Sequence, residues 1–130
     1  MKNIQFVTYL IIMFMNIGCV SQQRISCIDI RKYQESPWLS SIVKASLDNT
    51  GAKVQSIDKI TYSIEGSNTT SVGFIVQYLG FPCDGGMASV TYDCEGEELS
   101  QYCGFAGCTG LCDLNILSKS SIYEAPITKE

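Results

Sequence analysis

The pattern of apolar positions predicts one helix in the first half of the chain. From 38 to 47, apolar residues recur at spacings of three and four, which places them on one face of a helix. Ser36 suits the N-cap, Pro37 suits the first helical turn, and Gly51 can take the left-handed conformation that ends a helix. Because Trp38 begins this apolar face, we expect it to anchor the core rather than to bind a ligand. The face consists of Trp38, Leu39, Ile42, Val43 and Leu47.

Four later segments alternate apolar with polar residues, a period typical of half-buried β-strands. Short turns separate them, and the last two form a hairpin around a two-residue loop, Glu95-Gly96. We therefore expect an α+β fold in which one amphipathic helix packs on a four-stranded antiparallel meander. A Cys/Gly-rich loop at 103–112 follows the meander, and disulfides are expected to brace the domain. The strand segments are 54–64, 71–80, 88–94 and 97–102.

The N-terminal segment has the pattern of an export signal. A lysine at position 2 precedes an almost wholly apolar run from Phe6 to Met15. That run is too short to cross a hydrocarbon core of about 30 Å as a helix. Gly18 then precedes Cys19, as in the lipobox where lipoprotein signal peptidase cleaves, although Asn16 stands where an aliphatic residue is usual. We expect cleavage before Cys19 and its acylation; ordinary secretion and an uncleaved anchor are the alternatives.

The remaining pattern divides the chain into four parts. A chain of 130 residues suits a single domain, and residues 20–33 are polar and lack periodicity, as in a tether. The polar residues from 118 onwards are typical of a frayed terminus. We predict a lipoprotein signal peptide at 1–18, a lipidated tether at 19–33, one α+β domain at 34–117 and a flexible tail at 118–130.

The cysteine count is consistent with acylation. The chain has 7 cysteines, and acylation of Cys19 leaves an even number, which an oxidising compartment favours as three disulfides. The predicted strand register makes Cys83 and Cys103 candidates to pair and leaves Cys94 to pair with Cys27, Cys108 or Cys112, but the sequence does not choose among the 15 possible connectivities. Zinc or an iron–sulfur cluster at the last three cysteines is disfavoured because no C-x2-C pair is present, so we predict no metal site. The six disulfide candidates are Cys27, Cys83, Cys94, Cys103, Cys108 and Cys112.

Charge and composition further restrict the partners and the chemistry expected of the protein. The net charge of −4 and the scattered basic residues disfavour nucleic acid as a partner. There is no histidine, which excludes a histidine general base or ligand. Four acids surround the predicted hairpin turn, and we expect a solvated, edge-protecting turn rather than a calcium site or a pair of catalytic carboxylates. We therefore predict no catalytic residue and no cofactor. The acids are Asp93, Glu95, Glu97 and Glu98.

Several short motifs resemble those of a family of small lipoproteins from Bacteroidota that is known as a domain of unknown function. The motifs are S-P-W-L (36–39), Y-D-C-E-G (92–96), G-F-A-G (104–107) and C-D-L (112–114). The resemblance covers about residues 29–114 and implies a lipid anchor and a similar architecture, without an established activity. The family pattern has a cysteine where this chain has Ser100, so no disulfide pairing is carried over from it.

These observations predict an envelope lipoprotein. No acidic residues follow Cys19 closely, so we expect acylated Cys19 to hold the protein in the lipid bilayer of the outer membrane, with the domain facing the periplasm. A non-enzymatic binding or structural module with an envelope protein as partner is the favoured function. The alternative is a periplasmic inhibitor of a hydrolase, of protease or lysozyme type, which would present Phe81, Pro82 and Met87 from the loop between the second and third strands. An enzyme would need a deep pocket lined by the hairpin acids.

Overall fold

A computed structural model of the chain describes residues 26–80 and 87–127. At Phe105 only the backbone is described. Three predicted features lie outside these ranges: the signal peptide with Cys19, the loop residues Phe81 and Pro82, and Cys83. Within the described ranges, no helix is long and apolar enough to cross a membrane.

The described residues form an α+β domain with one α-helix and one antiparallel sheet. Short 3₁₀ turns at Cys27–Asp29 and Tyr33–Glu35 precede helix α1, Pro37–Leu47, and a third turn, Gly104–Ala106, follows the fourth strand. The predicted α+β class, with one helix and an antiparallel sheet, is therefore confirmed, whereas the sheet has six strands and not the predicted four. The strands are β1 Lys53–Ile64, β2 Thr70–Leu79, β3 Met87–Tyr92, β4 Glu98–Tyr102, β5 Cys108–Gly110 and β6 Leu114–Glu124.

Helix α1 begins and ends close to the predicted positions. Pro37 occupies the first turn, and the Ser36 carbonyl accepts a bond from the Ser40 amide at 2.9 Å. Ser36 fills the N-cap position through its backbone, since its side chain makes no capping bond. At the other end Asn49, not Gly51, takes the left-handed conformation, with φ 55°. A short amide side chain tolerates that conformation, so the expected role of Gly51 was wrong.

The sheet has six strands in the order β5-β4-β3-β2-β1-β6, and every pair is antiparallel. The four predicted strands are its centre, and the sheet extends beyond them on both sides. β5 has three residues inside the predicted Cys/Gly loop, and β6 lies in a segment with mostly exposed side chains. Backbone hydrogen bonds form both additional strands without an apolar alternation, so the pattern of side chains did not reveal them.

The sheet curls strongly because its two edge strands are joined by a very short connection. Only residues 111–113 separate β5 from β6, although these strands lie at opposite edges. Five interstrand spacings in a flat sheet would separate the edges by about 24 Å. Four Cα–Cα steps, from Gly110 to Leu114, span at most about 14 Å. The sheet must therefore bend towards closure, as in a small open barrel.

Each face of the curled sheet carries its own apolar cluster. The larger cluster lies between α1 and the sheet, where Leu39 and Phe74 are completely buried. The smaller one lies on the opposite face and consists of Ile60, Tyr62 and Ile75, with Leu99 and Leu114 packed against it. Leu99 comes from β4 and Leu114 from β6, on either side of the central strands. Their convergence on one cluster indicates that this second face is the concave one.

The residues before α1 belong to the folded domain. Cys27 and Ile30 are buried in the larger cluster. The Lys59 ammonium on β1 donates hydrogen bonds to the carbonyls of Ile28 and Ile30, the latter at 2.9 Å. The prediction of a tether as far as residue 33 was therefore wrong for 27–33. Two buried residues in a polar stretch have no periodicity, and the contacts that bury them come from distant strands.

The predicted flexible tail is also mostly ordered. Residues 118–124 continue β6, which pairs with β1 along nearly its whole length, from Ser56↔Glu124 to Ile64↔Leu114. Lys119 forms an ion pair with the buried Asp58 at 3.0 Å, which links the two strands on the concave face. The domain boundary at 117 was therefore wrong. Exposed polar side chains made this segment resemble a free terminus, whereas its backbone completes the sheet.

Two disulfides are described, Cys27–Cys94 and Cys108–Cys112, with Cα atoms 5.8 and 5.9 Å apart. Cys103 is also disulfide-bonded. The first pairing agrees with the expectation that Cys94 joins a cysteine other than Cys83. Because Cys83 lies outside the described residues, its pairing with Cys103 stays a prediction.

The two described disulfides should differ in their contribution to stability. Cys27 and Cys94 are 67 positions apart, whereas Cys108 and Cys112 are 4 apart. On the chain-entropy model, removing the first pair should lower the free energy of unfolding by about 4 kcal/mol and removing the second by about 2 kcal/mol. Urea unfolding of the two double alanine variants measures both values. Equal losses would contradict loop length as the deciding factor.

Candidate functional site

The predicted binding loop joins β2 to β3, and the structure describes both of its ends. Met87 is the first residue of β3 rather than a loop residue, and it lies directly opposite Leu79 of β2. Tyr102 pairs with Ser89 of β3, on the same face as Met87. Leu79, Met87 and Tyr102 are 48%, 50% and 54% exposed. We refer to these three side chains as the apolar row.

The apolar row lies on the concave face, away from α1. In β3, Ala88 and Val90 point into the core beneath α1 and are buried, so Met87 points to the other face. Buried residues of that face, such as Ile75, lie further along the strands. The row therefore places three apolar side chains near the end of the sheet where Phe81 and Pro82 follow in sequence. Leu79 lies directly opposite Met87, and Tyr102 lies diagonal to Met87, opposite Ser89.

The β3–β4 hairpin has a three-residue loop, not the predicted two-residue loop. The Asp93 amide donates to the Glu97 carbonyl at 2.9 Å, and Gly96 has φ 88°, as in a type I turn followed by a glycine bulge. One Asp93 carboxylate oxygen accepts the amides of Glu95 and Glu97 at 3.0 and 2.8 Å. Asp93 therefore stabilises the loop itself. The sequence signal Glu95-Gly96 located the turn but not its length.

A bulge in β4 compensates for the longer loop. Tyr92 pairs with Glu98 but Thr91 pairs with Ser100, so Leu99 is an additional residue. The three-residue loop places Asp93 opposite Glu97 rather than opposite Glu98, and the Asp93 carboxylate is held by the two loop amides. The Leu99 carbonyl instead accepts the Leu111 amide at 2.8 Å. The register beyond the bulge is the one expected from a two-residue loop.

Trp38 of α1 closes over this hairpin. Its indole N–H donates to the Cys94 carbonyl at 3.2 Å. Its ring packs against Phe74 and Tyr92, with centroids 5.7 and 5.2 Å away. Gly96 lies beneath the indole, where a Cβ atom would come within 2.9 Å of the ring. Trp38 is thus a core residue with a satisfied polar atom, as its position at the start of the apolar face predicts.

A cleft of about 370 Å³ opens between α1 and β4. Apolar side chains from the helix and its C-terminal connection, including Ile42 and Ala45, form one wall. The sheet forms the floor, where the hydroxyl groups of Tyr78 and Tyr92 are hydrogen-bonded at 3.0 Å. Glu98 completes the rim. The full lining is Ile42, Ala45, Gly51, Ala52, Tyr78, Val90, Tyr92, Glu98 and Gln101.

Both tyrosines of the floor hold their protons more strongly than usual. Burial raises the pKa of Tyr78 well above its ordinary value, and its hydrogen bond to Tyr92 and the Glu98 charge add to the rise. Burial also raises the pKa of Tyr92, against a lowering by the bond from Tyr78, and Glu98 raises it further. Both phenols are therefore neutral at physiological pH. They can exchange hydrogen bonds with a ligand but do not provide a base.

The hairpin acids do not converge on one cavity. Glu98 lines the cleft beside α1, whereas Asp93 and Glu95 border a different hollow next to the Cys27–Cys94 disulfide. Glu97 is exposed. Among the described residues, no group of three or more Cys, Asp or Glu side chains is arranged to hold a metal ion. The hairpin acids, which are close together in sequence, are thus divided between two surfaces.

No family model, curated protein or solved structure matches the chain. The assignment of candidate sites therefore rests on the geometry of this chain alone.

Sequence reasoning missed the cleft and two of the three members of the apolar row, Leu79 and Tyr102. Tyr78 and Tyr92 lie in two strands predicted to be neighbours, so their shared face could have been found from the register. The gap between α1 and β4 depends on where the helix crosses the sheet, and no sequence signal gives that position. Tyr102 was likewise hidden because its exposure depends on the curl of the sheet.

Gly96 offers a direct test of the contact between α1 and the hairpin. Gly96→Ala should destabilise the protein for two reasons, the positive φ and the clash with Trp38. Gly66→Ala is the matched control, since Gly66 has φ 80° and nothing lies within 4 Å of its added Cβ. We expect a loss of about 1 kcal/mol for Gly66→Ala and a further 1–3 kcal/mol, roughly, for Gly96→Ala. Urea unfolding measures both, and equal losses would show that Trp38 moves aside freely.

Proposed function

We propose that this protein is a lipoprotein of the outer membrane, anchored by acylated Cys19, whose domain is a non-enzymatic binding module facing the periplasm. Its contact surface for an envelope protein is the apolar row together with the loop that follows Leu79. The observation that carries the proposal is the position of Leu79, Met87 and Tyr102: three half-exposed apolar side chains on one face at the base of the predicted binding loop.

Exposed apolar side chains in adjacent positions favour a role in binding. Scattered apolar residues on a surface are ordinary, but a contiguous group is typical of contact with another protein. Aromatic residues and methionine are enriched at the centre of such contacts, and Tyr102 and Met87 are of these types. The row also lies on paired strands, so binding does not require the backbone that carries these side chains to become ordered.

The short distance between Cys19 and the domain supports an anchored module. Only residues 20–26 separate Cys19 from Cys27, which is already part of the core. Eight Cα–Cα steps span at most about 29 Å. An acyl anchor at Cys19 would therefore keep the domain within one domain diameter of the bilayer, where a partner in the same membrane or in the adjacent envelope is accessible.

The resemblance to the Bacteroidota lipoproteins is also retained as a proposal. Two of its motifs meet in space, since Trp38 of S-P-W-L contacts Tyr92, the Cys94 carbonyl and Gly96 of Y-D-C-E-G. Motifs that are distant in sequence but form one contact are expected where they specify a shared fold. This contact supports a common architecture and carries no information about activity.

A hydrolase inhibitor is the second candidate, and one observation favours it. The β2–β3 ladder is regular from Phe74↔Tyr92 to Leu79↔Met87, without a bulge. A loop carried by such a ladder has both ends fixed, which lowers the entropic cost of presenting it to an active-site groove.

The anchor is tested by replacing Cys19. In the native chain we expect the intact mass of the membrane-extracted protein to show cleavage before Cys19 and added acyl chains. Cys19→Ser should leave the protein unacylated, either released in soluble form or retained as an uncleaved precursor that still carries residues 1–18. Cys108→Ser serves as the control because it also removes one thiol, and it should remain membrane-bound. A native chain whose intact mass shows no added acyl chain would contradict the lipid anchor.

The contact surface is tested by quantitative recovery of envelope proteins crosslinked to the tagged full chain. Met87→Ala and Tyr102→Ala should each lower recovery of the same partner about fivefold, from a loss of about 1 kcal/mol at an interface. Leu117→Ala is the matched control, since Leu117 is 52% exposed in β6, and its recovery should be unchanged. Equal recovery with all three variants would exclude the apolar row as the contact. The inhibitor function is indicated if the recovered partner is a hydrolase and the purified chain lowers its activity.

A further inference from the structure

The cleft between α1 and β4 has a composition that selects for one kind of ligand. Its volume of about 370 Å³ falls in the lower part of the range of small-molecule sites, roughly 300–1,000 Å³. Apolar side chains line most of it, so an aliphatic group gains from entering. Four of the lining residues carry polar side-chain atoms. These atoms are the hydroxyls of Tyr78 and Tyr92, the carboxylate of Glu98 and the amide of Gln101.

The electrostatic character of the cleft is negative. Glu98 is its one charged lining residue, and no ion pair to Glu98 is present in the described residues. The Glu98 charge acts on both floor hydroxyls, since it raises the pKa of Tyr78 and of Tyr92. No lysine or arginine lines the cleft. An anionic ligand would therefore be repelled, whereas a cation would be attracted.

The hydrogen-bonding groups of the cleft restrict the class of ligand further. A primary ammonium group has three donors and no acceptor, and the rim offers carboxylate, amide and phenol oxygens as acceptors. The bond between Tyr78 and Tyr92 occupies one hydroxyl proton, and lone pairs remain on both oxygens. A neutral alcohol would gain the apolar contact without the charge interaction. A carboxylate could accept a bond from the second phenol proton, but its charge would be repelled by the Glu98 carboxylate at the same rim.

We propose that this cleft binds a small aliphatic primary amine in its ammonium form, with the aliphatic stem against Ile42 and Ala45 and the ammonium group at Glu98. The site lies on the face covered by α1, whereas the apolar row lies on the concave face. Binding here is therefore independent of the protein contact proposed above.

The test is a titration of the membrane-extracted full chain with n-hexylammonium, followed by NMR of isotope-labelled isoleucine and alanine methyl groups. Saturable shifts are expected at Ile42 and Ala45. The same titration with n-hexanoate, which has the same chain length and opposite charge, should give no saturable shift at these methyl groups. Equal binding of both compounds would overturn the proposal, because it would show a non-selective apolar cleft.

Two variants test whether binding depends on the charge of Glu98 and not only on the cavity. Glu98→Gln keeps the side-chain size, and it should weaken hexylammonium binding about fivefold, since an ion pair with an exposed carboxylate contributes up to about 1 kcal/mol. Glu97→Gln is the control: the neighbouring residue is exposed and outside the cleft, and its affinity should equal that of the native chain. Equal weakening by both variants would indicate a general charge effect and overturn the assignment.

Filling the cavity gives an independent result. Ala45→Leu places a larger side chain in the cleft wall and should abolish the saturable shift at Ile42. Circular dichroism establishes whether this variant folds, and Glu98→Gln tests the site even if it does not. A lysine-containing peptide is titrated in parallel. If the peptide alone binds and hexylammonium does not, the occupant is a protein side chain and the small-amine proposal is wrong.

Discussion

The contact of Trp38 with the tip of the β3–β4 hairpin is the interaction on which the rest of the domain depends. The indole covers Gly96, donates its N–H to Cys94 and packs on Tyr92. The Cys27–Cys94 disulfide attaches the N-terminal segment at the same point. Three parts of the chain that are distant in sequence thus meet at one turn.

This meeting point explains why the hairpin has its particular loop. A glycine is required where the backbone has a positive φ and where the indole leaves no space for a Cβ atom. The loop then has one residue more than the simplest hairpin, and the Leu99 bulge restores the register of β4. The Asp93 carboxylate accepts hydrogen bonds from two loop amides. This acid, which the sequence analysis weighed as a candidate site residue, therefore stabilises the turn.

The curl of the sheet gives the domain two different surfaces. On the convex face α1 crosses only part of the sheet, so a cleft remains beside β4, with the linked hydroxyls of Tyr78 and Tyr92 at its floor. On the concave face the small cluster around Ile60 is enclosed, while Met87 and its neighbours stay exposed beyond it. A single sheet therefore offers a polar-rimmed cavity on one side and an apolar contact surface on the other. Both are held on strands and a helix, which fixes their geometry.

The sequence by itself determined the elements whose signals are local. The apolar face of α1, the four central strands and the position of the hairpin turn follow from periodicity and from residues such as Pro37 and Gly96, because these preferences act within a few residues. Burial of Trp38 also followed, since its place on the apolar face is a local property.

Only the tertiary structure decided the features that depend on distant contacts. Strand β6 is held by backbone bonds to β1 and by the Lys119–Asp58 ion pair, neither of which leaves a pattern in a polar sequence. Cys27 and Ile30 are part of the core because distant strands cover them. The cleft exists because of the angle at which α1 crosses a curled sheet, and the curl follows from a three-residue connection between its edges. Packing and chain closure, not local preference, determine these features.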